Sequence, residues 1–216
     1  DFPGEGIEKI YQEVVSSFPN SRNIFISSDS IKKSKNLNNI LTDIKSNKVD
    51  VIVGTQILSK GHNFPYLRTV GIVNIDNLLN DFDFRSYEKC FQQIIQVSGR
   101  AGRKDFLGNV IIQTLEPDHT VLKNCMTYSF KKFYNEELVK RKKNNHPPYS
   151  NFISLIIKST NDNLAKKFGF LIVKNLSSKF KSILIYGPAP AVISIKNKNY
   201  RHRILLKVRK KQILQE

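Results

Sequence analysis

The run Val51-Ile-Val53 closes on Gly54-Thr55-Gln56, and that junction limits the folds open to the chain. Three β-branched apolar residues in a row have no polar face to offer solvent. The strand they form is therefore covered on both sides, the condition of a parallel sheet packed between helices. Glycine then ends the strand in a polar loop, at the carboxyl end where open α/β sheets gather ligands. The flanking segments supply the helices. Ile7, Ile10, Tyr11, Val14, Val15 and Phe18 recur at helical spacing over 6–18, residues 37–44 form a second helix, and Phe84 to Gln96 a third. Short apolar strands at 23–26, 70–75 and 109–113 alternate with them. Residues 1–115 read as one α/β domain with a parallel sheet.

Past the third helix comes Gln96-Val-Ser-Gly99-Arg100-Ala-Gly102-Arg103. Arginines at i and i+3 on a helix face the same way, and the two glycines let a polyphosphate approach the backbone. A planar, permanently charged guanidinium suits a phosphoryl group in transfer. Upstream, Lys60-Gly61-His62-Asn63 makes a tight polar turn that Phe64-Pro65 closes. ATP hydrolysis also needs a phosphate cradle and a carboxylate that holds magnesium. The chain carries neither a Gly-x-x-x-x-Gly-Lys-Ser/Thr loop nor an Asp-Glu-x-His box after a strand. By itself it is expected to be inactive. It begins at Asp1 and its single methionine is Met126, so it reads as the C-terminal piece of a longer protein.

The second half differs in charge. The net charge is +17, from 35 Lys and Arg against 18 Asp and Glu. Residues 116–216 hold 21 of those cations and 6 of the acids, so nearly all the excess lies beyond the first domain. Such a surface attracts phosphate backbones or an acidic protein tail. A lysine-rich genome would also raise lysine, but evenly, and would not thin the carboxylates in one half. Residues 116–146 form a connecting helical segment that ends in Lys140-Arg-Lys-Lys143, a phosphate contact or a solvated face, before His146-Pro147-Pro148 stops it. Residues 147–216 follow as a basic α+β domain: strand 152–158, helix 161–179, strand 183–186, the turn Gly187-Pro-Ala-Pro190, strand 191–195, a basic loop, strand 203–208 and a short terminal helix.

Other chemistries find little support. Cys90 and Cys125 lie far apart with no Cys-x-x-Cys, and the four histidines form no ligand spacing, so no metal site is expected here. No apolar run reaches the roughly 18 residues of a membrane span. Asp76, Asp83 and Glu88 read as caps and ion partners rather than catalysts.

The Gly54-Thr55-Gln56 to Pro65 stretch and the Gln96 to Arg103 stretch, in this order and about 40 residues apart, resemble motifs V and VI of superfamily 2 helicases. Asp83-Phe-Arg85-Ser-x-Glu88, Gly108-Asn-Val-Ile-Ile-Gln-Thr114, Pro147-Pro-Tyr149, Gly187-Pro-Ala-Pro-Ala191, Tyr200-Arg201 and Ile204-Leu-Leu-Lys207 extend the likeness over nearly the whole chain. It is similar to the PriA family of bacterial replication-restart helicases. The resemblance implies a RecA-like second helicase lobe followed by a small α+β domain. It implies ATP with Mg2+ as the energy source, completed by a first lobe, and an activity that unwinds DNA 3′ to 5′ at stalled forks and helps load the primosome in the bacterial cytoplasm.

The resemblance also suggests roles. Arg100 and Arg103 act on the γ-phosphate and Gln96 senses it. Gly61, Asn63, Gly99 and Gly102 line the nucleotide. Thr55 and Gln56 hold the tracked strand, with Lys60 either a phosphate contact or an exposed lysine at a helix start. Asn63 departs from the family's frequent Asp and brings no charge. Zinc is expected in the family, held by cysteines upstream of this segment. The implied partners are forks and single-stranded DNA, other primosome proteins, and the acidic tail of single-stranded DNA-binding protein. Arg201 is either a clamp for that tail or a cation–π partner of Tyr200. The motif pair alone leaves open another superfamily 2 translocase, and the basic half alone a non-catalytic DNA- or protein-binding remnant.

Overall fold

The computed structural model describes residues 5–27, 37–55, 64–80, 83–102 and 107–208. The chain forms two compact units, 1–133 and 134–216. In the first, helix α1 (Glu5–Ser17) precedes β1 (Asn23–Ile26), and α2 (Leu37–Lys45) precedes β2 (Val51–Gly54). β1 and β2 pair in parallel, Ile26 opposite Gly54. Ile26, Ile44 and Phe64 are buried together, with Ile40, Leu41, Val49, Ile52 and Leu67 packed on them. The apolar stripe of α2 thus meets the strand pair, and Phe64 pins the end of the 56–63 loop to that core.

Next come β3 (Thr69–Ile72), the single turn α3 (Asp76–Leu79), α4 (Ser86–Ser98) and β4 (Asn109–Ile112). β3 and β4 form a second parallel pair, Thr69 opposite Asn109. The expected strand 70–75 ends early, because Asn74 adopts a φ of 57° and turns the chain into α3. α4 buries Cys90, Phe91 and Ile94, positions at helical spacing, against Ile75, Leu79, Val121, Leu122, Cys125 and Phe133. Phe91 stacks on Phe133 with ring centroids 4.2 Å apart and planes 3° from parallel. The last of these contacts come from α5 (Thr120–Met126) and the first turn of α6 (Phe130–Lys143), separated by a bend at Tyr128 with φ 49°. The described strands of this unit are parallel, as expected of an α/β lobe, and pair as two small sheets.

The second unit holds the rest of α6, β5 (Asn151–Ser159), α7 (Asp162–Lys179), β6 (Leu184–Lys196) and β7 (Asn199–Val208). The sheet is antiparallel with order β5-β7-β6. Asn161 caps α7, its side chain accepting from Leu164 N at 3.2 Å. Ala165 and Gly169 are the buried positions of α7, and a Cβ on Gly169 would stand 2.7 Å from Pro188 Cβ, so helix and β6 touch closely there. Two expected strands, 183–186 and 191–195, prove to be one. Gly187, at φ 99°, lets the strand kink, and the pairing with β7 resumes at Ala189 after a register shift. The expected basic loop is a two-residue hairpin: Asn197 and Lys198 take φ of 51° and 60°, and the strands pair on either side. The terminal helix falls at 209–216, outside the described residues.

Candidate nucleotide and nucleic-acid interface

α4 leads directly into the arginine-bearing turn. Its last residue, Ser98, folds its hydroxyl back onto Ile94 O at 2.7 Å, and Gly99 caps the helix through a bond to Ile95 O. Arg100 N then donates to Val97 O at 2.9 Å and Ala101 N to Ser98 O at 3.1 Å. These are tight-turn bonds beyond the helix end. Gly102 takes φ 83° and donates to Leu67 O at 3.0 Å. The helix therefore stops before Arg100, and the helical i, i+3 argument for aligning Arg100 with Arg103 does not hold. The glycine at 102 reverses the backbone, which an unbroken helix would not.

Gly108 completes the turn. A Cβ there would lie 2.3 Å from the Ala101 carbonyl carbon and 2.5 Å from Gly102 N, so only glycine lets the two backbones meet. The next residue, Asn109, donates to Arg68 O at 2.8 Å as β4 begins. The turn is thus held from two sides, by the segment entering β3 and by the residue entering β4. Sequence reading singled out Gly99 and Gly102 but gave Gly108 no structural part. The available signal was a glycine immediately before a strand. Gln96 is exposed on the last turn of α4, and Arg100 is half-buried. Gly99 is exposed as well, and Gly102 is half-buried.

Thr55 follows the last residue of β2, and its hydroxyl oxygen is buried with no hydrogen-bond partner among the described residues. A buried hydroxyl without a partner is uncommon. Gln56, Lys60, Gly61, Asn63 and Arg103 lie outside the described residues.

The carboxylates near the turn are structural. Asp83 accepts from Arg85 N at 3.0 Å and from the Arg85 and Lys89 side chains, opening α4 with a local charge cluster. Desolvation works against its ionised form, yet these donors hold its carboxyl well below the usual carboxylate range. Asp76 accepts from Thr114 Oγ1 at 2.6 Å and Leu115 N at 3.0 Å, tying the start of α3 to the exit of β4. The Thr114 bond leads in lowering its pKa. Cys90 and Cys125 are both buried, and desolvation pushes each thiol up to about 12. Among the described residues, no three His, Cys, Asp or Glu side chains group as metal ligands, and no helix is long and apolar enough to cross a membrane.

In the second unit, Arg141 is not part of an exposed basic run. Its Nε donates to Glu137 Oε1 at 2.8 Å and its Nη1 to Pro147 O, with Glu137 buried and Arg141 half-buried. Lys140, Lys142 and Lys143 remain exposed. Arg201 donates from Nη1 to Ile193 O at 3.1 Å, while its Nε is buried without a hydrogen-bond partner among the described residues. Tyr200 and Arg201 are consecutive in β7, so their side chains leave on opposite faces of the sheet.

Comparison with known proteins gives this geometry its context. Residues 13–105 match the helicase conserved C-terminal domain, and residues 142–216 match the primosomal protein N C-terminal domain. The replication restart protein PriA of Synechocystis is 37% identical over 207 residues, covering 95% of this chain and 25% of that protein. Its counterpart in Rickettsia conorii is 34% identical over 213 residues, covering 99% and 33%. The one from Bacillus subtilis is 31% identical over 212 residues, covering 95% and 26%. The chain spans a quarter to a third of the length of these relatives. It belongs to the PriA family of replication restart proteins, matching the C-terminal portion of its members with a helicase C-terminal lobe followed by the primosomal domain.

Proposed function

We propose that the chain supplies the second RecA-like lobe and the C-terminal domain of an ATP-dependent 3′-to-5′ DNA helicase that reopens stalled replication forks and helps load the primosome. The observation that carries this reading is the Gln96–Gly102 turn, bonded to Leu67 O and closed by Gly108, within the stretch matched to the helicase domain. A turn braced on both sides presents a cation without reorganisation, which is what stabilising a transition state asks of an enzyme. Arg100 and Arg103 reach across a cleft to the γ-phosphate, and Gln96 senses it. Gly61, Asn63, Gly99 and Gly102 line the nucleotide, while Thr55, Gln56 and Lys60 hold the tracked strand. Magnesium would be held by ligands on the other lobe, where it would supply charge neutralisation of the phosphates.

The second unit works at the fork in the bacterial cytoplasm. It attracts DNA, the acidic tail of single-stranded DNA-binding protein through Arg201, and other primosome proteins. The surplus of cations over carboxylates in that unit supports this part of the reading. The deciding experiment is Arg103→Ala in the intact helicase. ATP turnover should fall by roughly 10³ or more, with nucleotide and DNA affinities kept within a few-fold. A matching loss of ATP affinity would make Arg103 a ground-state or structural residue and remove the transition-state role.

A further inference from the structure

The sheet of the second unit has one covered face and one open face. On β7, His202, Ile204, Leu206 and Val208 are buried beneath α7, and the alternate residues point the other way. The registers set out that other face in rows. Lys158 stands opposite Arg201, Arg203 lies between Ile156 and Ala189, and Leu205 lies between Ser154 and Tyr186. Arg203 and Lys158 are exposed and have no hydrogen-bond or ion-pair partner among the described residues. Tyr186 is 50% exposed and Ile156 36%. Small Ser154 and Ala189 leave the floor low between these taller side chains. Lys207 closes one end: it donates to Asn144 O at 2.9 Å and lies 5.5 Å from the Phe152 ring centroid.

Charge selects the occupant. Between residues 144 and 208 the only acidic side chain is Asp162, and it bonds His202 on the covered side at 2.8 Å. The open face therefore has cations and no carboxylate, interleaved with an aromatic ring and aliphatic floor. Phosphates satisfy the first feature and unpaired base faces the second. A duplex offers the phosphates but keeps its base faces stacked inside.

We infer that this open β5-β7-β6 face is a platform for single-stranded nucleic acid, with Arg203 and Lys158 on the phosphates and Tyr186 stacking a base. The inference rests on the reading that the second unit contacts DNA, and it names where and in what form. The test titrates the full 216-residue chain with a short oligothymidylate and with a duplex of equal length across a salt series. Tyr186→Ala weakens single-strand binding about tenfold, because one stacking contact is lost. It leaves duplex binding unchanged, and Tyr186→Phe, which keeps the ring, binds like the parent. The double change Lys158→Gln/Arg203→Gln flattens the log–log salt slope on single strands by about 1.4, two phosphate contacts. Lys166→Gln/Lys174→Gln, on the exposed outer side of α7, is the control and changes little. Parent-like binding by Tyr186→Ala, or a control that flattens the slope as much as the face variants, overturns the platform and leaves DNA contact elsewhere in the unit. A parent chain that binds neither oligonucleotide overturns the underlying DNA reading as well.

Discussion

The two units use their charges in opposite ways. Residues 1–133 carry 17 Lys and Arg against 14 Asp and Glu, and residues 134–216 carry 18 against 4. In the first unit, described carboxylates hold cations locally: Asp50 with Arg22, Asp43 with Lys48, Asp83 with Arg85 and Lys89, Asp118 with Lys123. In the second, Glu137 holds Arg141 and Asp162 holds His202. Most of the remaining lysines have no carboxylate available to them. A balanced surface suits a lobe of the kind proposed here, with its ligand at one braced turn. An unbalanced one keeps its cations facing outward for a polyanion. The lesson is that net charge alone locates the partner surface poorly. The informative quantity is how many cations remain after internal pairing.

The exception in the second unit gives the largest expected effect. Glu137 is buried and Arg141 nearly so, their side chains 10% and 13% exposed. Glu137→Ala takes the carboxylate partner from a guanidinium that is largely shielded from solvent, and breaking such a pair costs about 3 kcal/mol. A denaturant titration should show that loss with little change in DNA affinity. A variant as stable as the parent would mean that this pair is solvated like its counterparts in the first unit, and the contrast in burial would fail.

Asp83→Ala is the matching change in the first unit and should cost less. The carboxylate takes Arg85 N in addition to the Arg85 and Lys89 side chains, so its removal strips an opening contact from α4 along with exposed ion pairs. Loss of such a helix-start acceptor costs about 1 kcal/mol, and the exposed pairs add little. Thermal melts of the two variants side by side would rank them. A larger loss from Asp83→Ala would show that the clustered surface charge of the first unit, rather than the buried pair of the second, is the greater electrostatic contribution.

How much of this was readable in advance follows the range of the interactions. The strands at 23–26, 51–54 and 109–112 and the helix 86–98 came from local apolar runs and periodicity, which act over a few residues. β6 was divided in two because Pro188 and Pro190 look like turn residues. Proline is tolerated at a bulge, and the ladder to β7 carries the strand through. The helical spacing of the two arginines does not reach Arg100, because α4 stops at Ser98 with Gly99 as its cap, and Arg103 lies outside the described residues. Glu137–Arg141 has i, i+4 spacing and could have been found, but the surrounding lysines made it resemble a solvated run. The open face was beyond reach. It needs Lys158, Tyr186 and Arg203 set side by side by a register between strands tens of residues apart.

The smallest expected effect concerns His146, where two half-buried cations of the second unit act on one of its own side chains. The ring packs edge-on to Phe152, with centroids 5.6 Å apart. Burial, followed by the positive charges of Lys207 and Arg141, lowers its pKa, with Glu137 pulling the other way. The unfolded chain, with an ordinary histidine, binds a proton from about pH 6.5 downward, before the folded chain does. In that window the unfolded state holds more protons, so stability is full above pH 6.5 and is lost as pH falls toward the folded pKa. His146→Gln removes this titration and leaves the other histidines in place. Melting temperatures measured at pH 7.5 and 5.5 should therefore fall further for the parent than for the variant, by a difference on the order of 1 °C. Equal falls would mean that Glu137 cancels the two cations at this ring. A greater fall in the variant would reverse the sign, and the surplus positive charge would then cost the second unit nothing at this position.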